Sequence, residues 1–379
     1  MIGHIDKVTN SIIAGWACSS FEAKKDLLRL YINDEFIKEF TPDIVRQGLV
    51  DKGIHHNGAC AFRVNIEDLS IDLKKEHKIS VRIFMNGAFV DLDNSPVSFQ
   101  PKEWIEGLIT KAKETEGTKI LIVGLPKSGT TALTYSLENA FPKSTVYFEP
   151  NQNKGLLDVE FHARVCSQNQ DVISKCLYVG DKASSLTTIE RFYDKCIWIH
   201  RDPRDWVISN FLYVWYHAHN LPSESFDKAL SETLKKEIAP ASIDFLPLLE
   251  LERGFNYYCK ALGKCADELQ RVADGDNWYI LRFEDFLDGN FDALNTYLGK
   301  DISRTKSLPK SLKRVERAIA HGYWRDWFTE ADQKVFNENL EEVMTAMRYD
   351  ISEKLNDSPS IDPKFSSEYM QKINSGTLK

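Results

Sequence analysis

Residues 119–133 read KILIVGLPKSGTTAL, an apolar stretch that runs into a Gly-, Pro- and Ser-containing loop and then into helix-forming residues. Lys119–Val123 has the length and composition of a strand covered on both faces, as strands of a parallel α/β sheet are. A loop joining such a strand to a helix turns its backbone N–H groups, and the positive end of the helix dipole, toward one point. Such a point suits an anion, above all a phosphate. The ordinary ATP and GTP loop reads GxxxxGK(S/T), whereas Gly124 to Thr131 reads GLPKSGTT. Thr130 stands where the lysine that reaches the β- and γ-phosphates should be, and a different lysine, Lys127, comes earlier in the loop. A nucleotide with one fewer phosphate to clamp suits that change.

Around this stretch, strand and helix signals alternate. A helix is predicted over Trp104–Thr115, and later strands over Cys176–Val179, Cys196–His200 and Trp278–Phe283, each a short apolar run. The expected fold class is α/β, a P-loop-containing parallel sheet with flanking helices. Upstream the pattern differs. Ser11–Cys18, Asp26–Ile32, Ala59–Val64, Lys78–Phe84 and Ala88–Leu92 read as short strands, with Asn33-Asp34 as a turn signal and Asn86-Gly87 as a two-residue hairpin signal. The division expected is a small all-β sandwich domain over residues 1–100 and a P-loop domain over 101–350. A polar, loosely attached tail is expected over 351–379.

The chain has 379 residues with 42% hydrophobic and 27% charged, a composition able to bury more than one core. Lys and Arg number 48 against 56 Asp and Glu, a net charge of −8. Polyanion binding must then come from a local basic site, and a nucleic-acid partner is not expected. The seven cysteines form no CxxC pair and are odd in number, which points to free thiols in a reducing compartment. The N-terminal residues do not read as a signal peptide, and no apolar run approaches the roughly 20 residues of a membrane span. The expectation is a cytoplasmic protein, with peripheral association with a glycan-assembly complex and homo-oligomerisation left open.

A second segment, Cys196–Tyr213, reads CIWIHRDPRDWVISNFLY: a strand, a polar break and a helix. Arg201 at the strand end can meet an anion bidentately, and Ser209 can donate a hydroxyl hydrogen bond to it. On its own this segment fits equally an arginine that caps a helix or pairs with Asp205.

Together the two segments resemble the family of sulfotransferases that use 3′-phosphoadenosine 5′-phosphosulfate (PAPS), particularly its carbohydrate-type and bacterial members. There a PKSGTT loop holds the 5′-phosphosulfate, here Pro126, Lys127, Ser128, Gly129, Thr130 and Thr131. An RxPxDxxxS segment holds the 3′-phosphate, here Arg201, Pro203, Asp205 and Ser209. Arg317–Thr329, RAIAHGYWRDWFT, is similar to the family's late RKGxxGxWKxxFT segment and makes Arg317 a candidate for the same phosphate. Ala318 and Ile319 replace its Lys-Gly, and Ala132 stands where the family often places an aromatic against adenine. The resemblance covers roughly residues 117–350 and implies PAPS as co-substrate with no metal required.

The resemblance implies in-line sulfuryl transfer, with Lys127 stabilising the leaving oxygen. The acceptor's proton then needs a base. Glu149 in VYFEP fits an acidic segment that carbohydrate sulfotransferases often carry. Asp181 and Lys182 in YVGDKA stand where other members have KTH or EKS. Lys182 suits guiding the sulfuryl group, with Glu149 or Asp181 taking the proton, and His162 is an outside candidate. Glu284 and Asp285 read as structural, and the run Phe211, Tyr213, Trp215 and Tyr216 with His217 and His219 as core or sugar-stacking surface. Residues 4–100 look similar to small β-sandwich modules of glycan-modifying enzymes, with packing or oligomerisation as fitting as glycan binding. The expected function is transfer to a carbohydrate hydroxyl of a surface glycan or polysaccharide. The alternatives are a divergent P-loop kinase and an inactive nucleotide- or glycan-binding scaffold.

Overall fold

The computed structural model describes residues 2–8, 12–22, 25–69, 75–99, 102–150, 159–178, 183–216, 223–304 and 320–378. The chain forms two compact units, Met1–Thr110 and Lys111–Lys379. The division falls about ten residues beyond the composition change at Pro101, inside a helix that begins at Lys102.

The first unit contains β1 (Gly3–Val8), β2 (Ile12–Ala17), β3 (Leu28–Ile32), β4 (Glu35–Phe40) and β5 (Ile44–Val45), then a short α1 (Gln47–Asp51). β6 (Ala59–Asn65), β7 (His77–Met85), β8 (Ala88–Asp91) and β9 (Val97–Phe99) follow. One antiparallel sheet has the order β1-β2-β6-β5 and the other β4-β3-β7-β8, with β9 also paired to β7. Alternating residues of both sheets, among them Ile13, Phe62, Leu30 and Val81, share one hydrophobic cluster. Both expected turns are present, and each joins two antiparallel strands. Asn33 and Asp34 have φ of 53° and 66°, and Asn86 and Gly87 50° and 84°, the left-handed pair that a two-residue turn between twisted strands requires.

The second unit opens with the end of α2 (Lys102–Lys113) and continues through β10 (Lys119–Gly124), α3 (Thr130–Ala140), β11 (Thr145–Phe148), α4 (Val159–Cys166), β12 (Val172–Leu177), α5 (Ala183–Ile189), β13 (Lys195–His200), α6 (Pro203–Tyr213), α7 (Ser223–Ile238), α8 (Phe255–Ala273), β14 (Trp278–Arg282), α9 (Phe283–Asp288), α10 (Asp292–Leu298), α11 (Trp324–Trp327), α12 (Glu330–Ala346) and α13 (Ser367–Asn374). The five strands β10–β14 form an all-parallel sheet in the order β11-β12-β10-β13-β14. It is a P-loop α/β fold with flanking helices. β10 is buried along its whole length. After β10 the chain builds one side of the sheet and then crosses to the other, so the loop leaving β10 sits at a topological switch point, where such sheets bind ligands. Ile120, Ile122, Ile173, Ile197 and Ile199 of the sheet pack with Leu133 and Leu137 of α3 in one cluster.

Two expectations need correction. The strand read as Cys176–Val179 is β12, which begins at Val172, because Ser174 and Lys175 interrupt the apolar run in the sequence. Past Ile351 the chain is docked rather than loose. Tyr369, Met370 and Ile373 recur at helical spacing and are buried. Glu237 accepts from the Ser367 N–H at 2.9 Å and its hydroxyl at 3.0 Å. Among the described residues no helix is long and apolar enough to cross a membrane.

Candidate functional site

The phosphate-loop sequence gives a sharp strand–loop–helix turn. Ser128 is buried, its N–H and hydroxyl both turned back to the Leu125 carbonyl at 3.2 and 2.8 Å. Gly129 has φ 91°, and a Cβ there would run into the ring of Phe283, so only glycine fits the close approach. At Gly124 a Cβ would meet the Ile199 carbonyl of the neighbouring strand. Lys127 takes φ 69°, a region non-glycine residues occupy at a cost and keep where surroundings enforce it. Its ammonium lies 4.0 Å from the centroid of the Tyr213 ring. Trp206 of α6 donates to the Pro126 carbonyl at 2.7 Å and pins the loop from the β13 side. Thr130, where a nucleotide loop carries its lysine, is buried. Thr131 is the next residue of α3.

At the end of β13, Arg201 is 7% exposed. Its guanidinium stacks 4.9 Å over Phe283, the ring that also packs on Gly129, so one side chain holds the arginine beside the loop. One Arg201 nitrogen lies 3.6 Å from Asp205, while its Nε is buried without a hydrogen-bond partner. Ser209, two turns into α6, is buried. Asp202 caps α6 by accepting from the Arg204 N–H. It also takes the Arg204 guanidinium bidentately at 3.0 and 2.8 Å. Asp205, wholly buried, accepts from the N–H groups of Gly322 at 2.6 Å and Trp324 at 2.9 Å. It thereby ties the late segment to α6. Trp324 in turn lies 3.7 Å under the Arg204 guanidinium.

On the other side of the loop, Glu149 follows β11 with φ 42° and a side chain 40% exposed. It pairs with Lys175 of β12, a residue absent from the sequence-based candidates. The only trace of it in the sequence is a lysine inside the run VISKCL. Phe148, 36% exposed, stands beside Glu149 with the Tyr135 ring 5.3 Å away.

Asp181, Lys182, Arg317, His217 and His219 lie outside the described residues. The others are brought together at the C-terminal edge of the parallel sheet, with Lys127 on the loop, Arg201 and Ser209 on the β13 side and Glu149 on the β11 side. Ala132 packs against the sheet core. His162 is buried with its Nδ1 2.6 Å from the Tyr193 hydroxyl, a packing position. Glu284 accepts from the Asp202 N–H and the Tyr349 hydroxyl, in keeping with a structural part. Phe211 and Trp215 are core residues. The seven cysteines are free, and burial pushes the thiols of Cys60 and Cys166 up to about 12, far from a nucleophilic thiolate.

No protein-family profile and no curated protein matches this chain. Among solved structures it is similar to the mouse sulfotransferase SULT7A1 complexed with PAP. The identity is 18%, the match covers 70% of this chain and 96% of that chain, and the TM-score is 0.41.

The buried arginine with a spare nitrogen, the serine of the helix that follows it and the glycine-shaped loop are donors that could receive anionic groups. Buried, pre-oriented N–H donors of this kind bind and stabilise anionic oxygens without reorganising.

Proposed function

We propose that the protein is a sulfotransferase that moves the sulfuryl group of PAPS to a hydroxyl of a carbohydrate. Arg201 carries the reading. A guanidinium that is nine-tenths buried beside a phosphate loop, with an unpaired Nε, is costly to keep unless an anion completes it. The 3′-phosphate is what distinguishes PAPS from ordinary nucleotides. Thr130, buried where a kinase loop needs its lysine, speaks against phosphoryl transfer from ATP.

On this reading the amides of Gly129–Thr131 hold the 5′-phosphosulfate, the Ser128 N–H being spent on the Leu125 carbonyl, and Arg201 and Ser209 hold the 3′-phosphate, with Arg317 a further candidate. Lys127 leaves the Tyr213 face to meet the bridging oxygen as negative charge grows there. Glu149 takes the proton of the attacking hydroxyl. The exposed Phe148 ring beside Glu149, backed by the half-buried Tyr135, supports a sugar acceptor, because aromatic faces stack on the apolar faces of sugars. Asp181 and Lys182 are assigned by resemblance alone, Asp181 as an alternative base and Lys182 as a guide for the sulfuryl group.

Calorimetric titration with 3′-phosphoadenosine 5′-phosphate (PAP), beside ADP and Mg-ATP, tests this function. Binding that selects the 3′-phosphate and needs no added metal is expected. Preference for Mg-ATP, or no binding of PAP, overturns the proposal.

A further inference from the structure

Lys175 sits within the central sheet, 3% exposed, in a strand made otherwise of apolar and small residues. An ammonium taken out of water there is tolerable only with firm partners. Its Nζ donates to Thr131 Oγ1 at 2.9 Å, in the first turn of the loop's own helix, and to the carboxylate of Glu149. The Phe148 ring lies 5.4 Å away. The two residues are joined a second time through the backbone, where the Glu149 N–H donates to the Lys175 carbonyl at 2.9 Å. Glu149 keeps a left-handed φ, a conformation that persists where the surroundings over-determine it. A half-exposed glutamate without such ties would spread over several rotamers.

We infer that Lys175 is the positioning residue of the proton acceptor. It holds the Glu149 carboxylate at the mouth of the phosphate loop and, through Thr131, sets it in register with the helix that carries the donor. This rests on the reading of Glu149 as base. In the transfer, the acceptor oxygen forms a bond to sulfur while the bond from sulfur to the bridging oxygen breaks. The hydroxyl proton passes to a Glu149 oxygen, and Lys175 keeps its protons and changes no bond.

The test uses the full chain and two readouts of transfer from PAPS. One is release of inorganic sulfate with water as acceptor, and the other is sulfation of a panel of neutral oligosaccharides. Lys175→Met, Lys175→Arg, Glu149→Gln and the double variant Glu149→Gln/Lys175→Met are compared, with PAP affinity and melting temperature measured alongside. Lys175→Met is expected to slow transfer roughly 10–100-fold, the scale of a misplaced reacting group, with PAP affinity changed less than about twofold, well under one hydrogen bond to an ion. Lys175→Arg is expected to recover much of the rate, and the double variant to be no slower than Glu149→Gln, because the lysine acts through the glutamate.

Full transfer by Lys175→Met, or losses that multiply in the double variant, overturns the inference while leaving the sulfotransferase reading intact. A wild-type protein that does not bind PAP overturns both. Glu149→Gln with undiminished transfer removes the base and the inference with it. If Lys175→Met does not fold, Thr131→Val removes only the hydroxyl that receives the Lys175 hydrogen bond. It is expected to slow transfer about 2–10-fold, the worth of one such bond, and an unchanged rate counts against the inference.

Discussion

The two flanks of the phosphate loop spend their charges differently. On the β13–α6 flank the carboxylates serve the protein itself. Asp205 fastens two backbone N–H groups of the late segment, Asp202 grips Arg204, and Glu284 joins Asp202 to Tyr349. On the β11–β12 flank one carboxylate, Glu149, is pinned by a buried lysine and left open to solvent on its other side. A buried network of hydrogen bonds and ion pairs fixes shape, and on this flank it leaves the Arg201 Nε as a buried donor without a partner. A carboxylate that is oriented yet accessible can still receive a proton. On the proposed function, the difference is that between holding a ligand and reacting with it.

Substitutions can break that contrast. Asp205→Ala strips two amides and Arg201 of a buried partner and is expected to cost about 3–5 kcal/mol of stability, as loss of one member of a buried ion pair does. Chemical unfolding measures it, and a change under about 1 kcal/mol, the worth of an exposed pair, would show that the flank is not rigid by this means. Lys127→Ala is expected to leave the unfolding curve nearly unchanged and to remove roughly 3–4 kcal/mol of transition-state stabilisation. An active variant would take the leaving oxygen away from this lysine. Arg201→Ala is expected to weaken PAP by about 1.5–3 kcal/mol and to affect the 3′-dephosphorylated analogue much less. Equal losses in a titration would take the 3′-phosphate away from it.

The last effect is a pH dependence, small per pH unit. His200 ends β13, where burial and the cations of Arg282 and Arg348 push its imidazole down to about 3. In the unfolded chain it titrates near ~6.5, so between these values the unfolded state binds more protons than the folded one. Its contribution to stability is full above that range and is lost as pH falls through it, at up to roughly 1.4 kcal/mol per pH unit. Unfolding of wild type and His200→Gln between neutral and acid pH should show a shallower slope for the variant. Parallel slopes would mean that the imidazole charges freely in the folded protein.

Much of the molecule was legible in local patterns. The buried strand β10 and its loop, the two Asn-containing hairpins and the step from β13 into α6 each follow from signals within a few residues. The docked C-terminal segment was hidden because its buried apolar residues, Ile361, Tyr369, Met370 and Ile373, are scattered among polar ones, and composition outweighed their spacing.

By itself the sequence determined the strand–loop–helix turn at Gly124–Thr131 and the α/β class of the second unit, since these depend on short-range periodicity and on backbone geometry that Gly and Pro dictate. Only the tertiary structure decided which partners those residues meet. Lys175 reaches Thr131 across 44 positions and Glu149 across 26, and Phe283 joins Gly129 to Arg201. Those contacts arise from the order in which parallel strands pair and from desolvation in the packed sheet, and neither is written in any one stretch of chain.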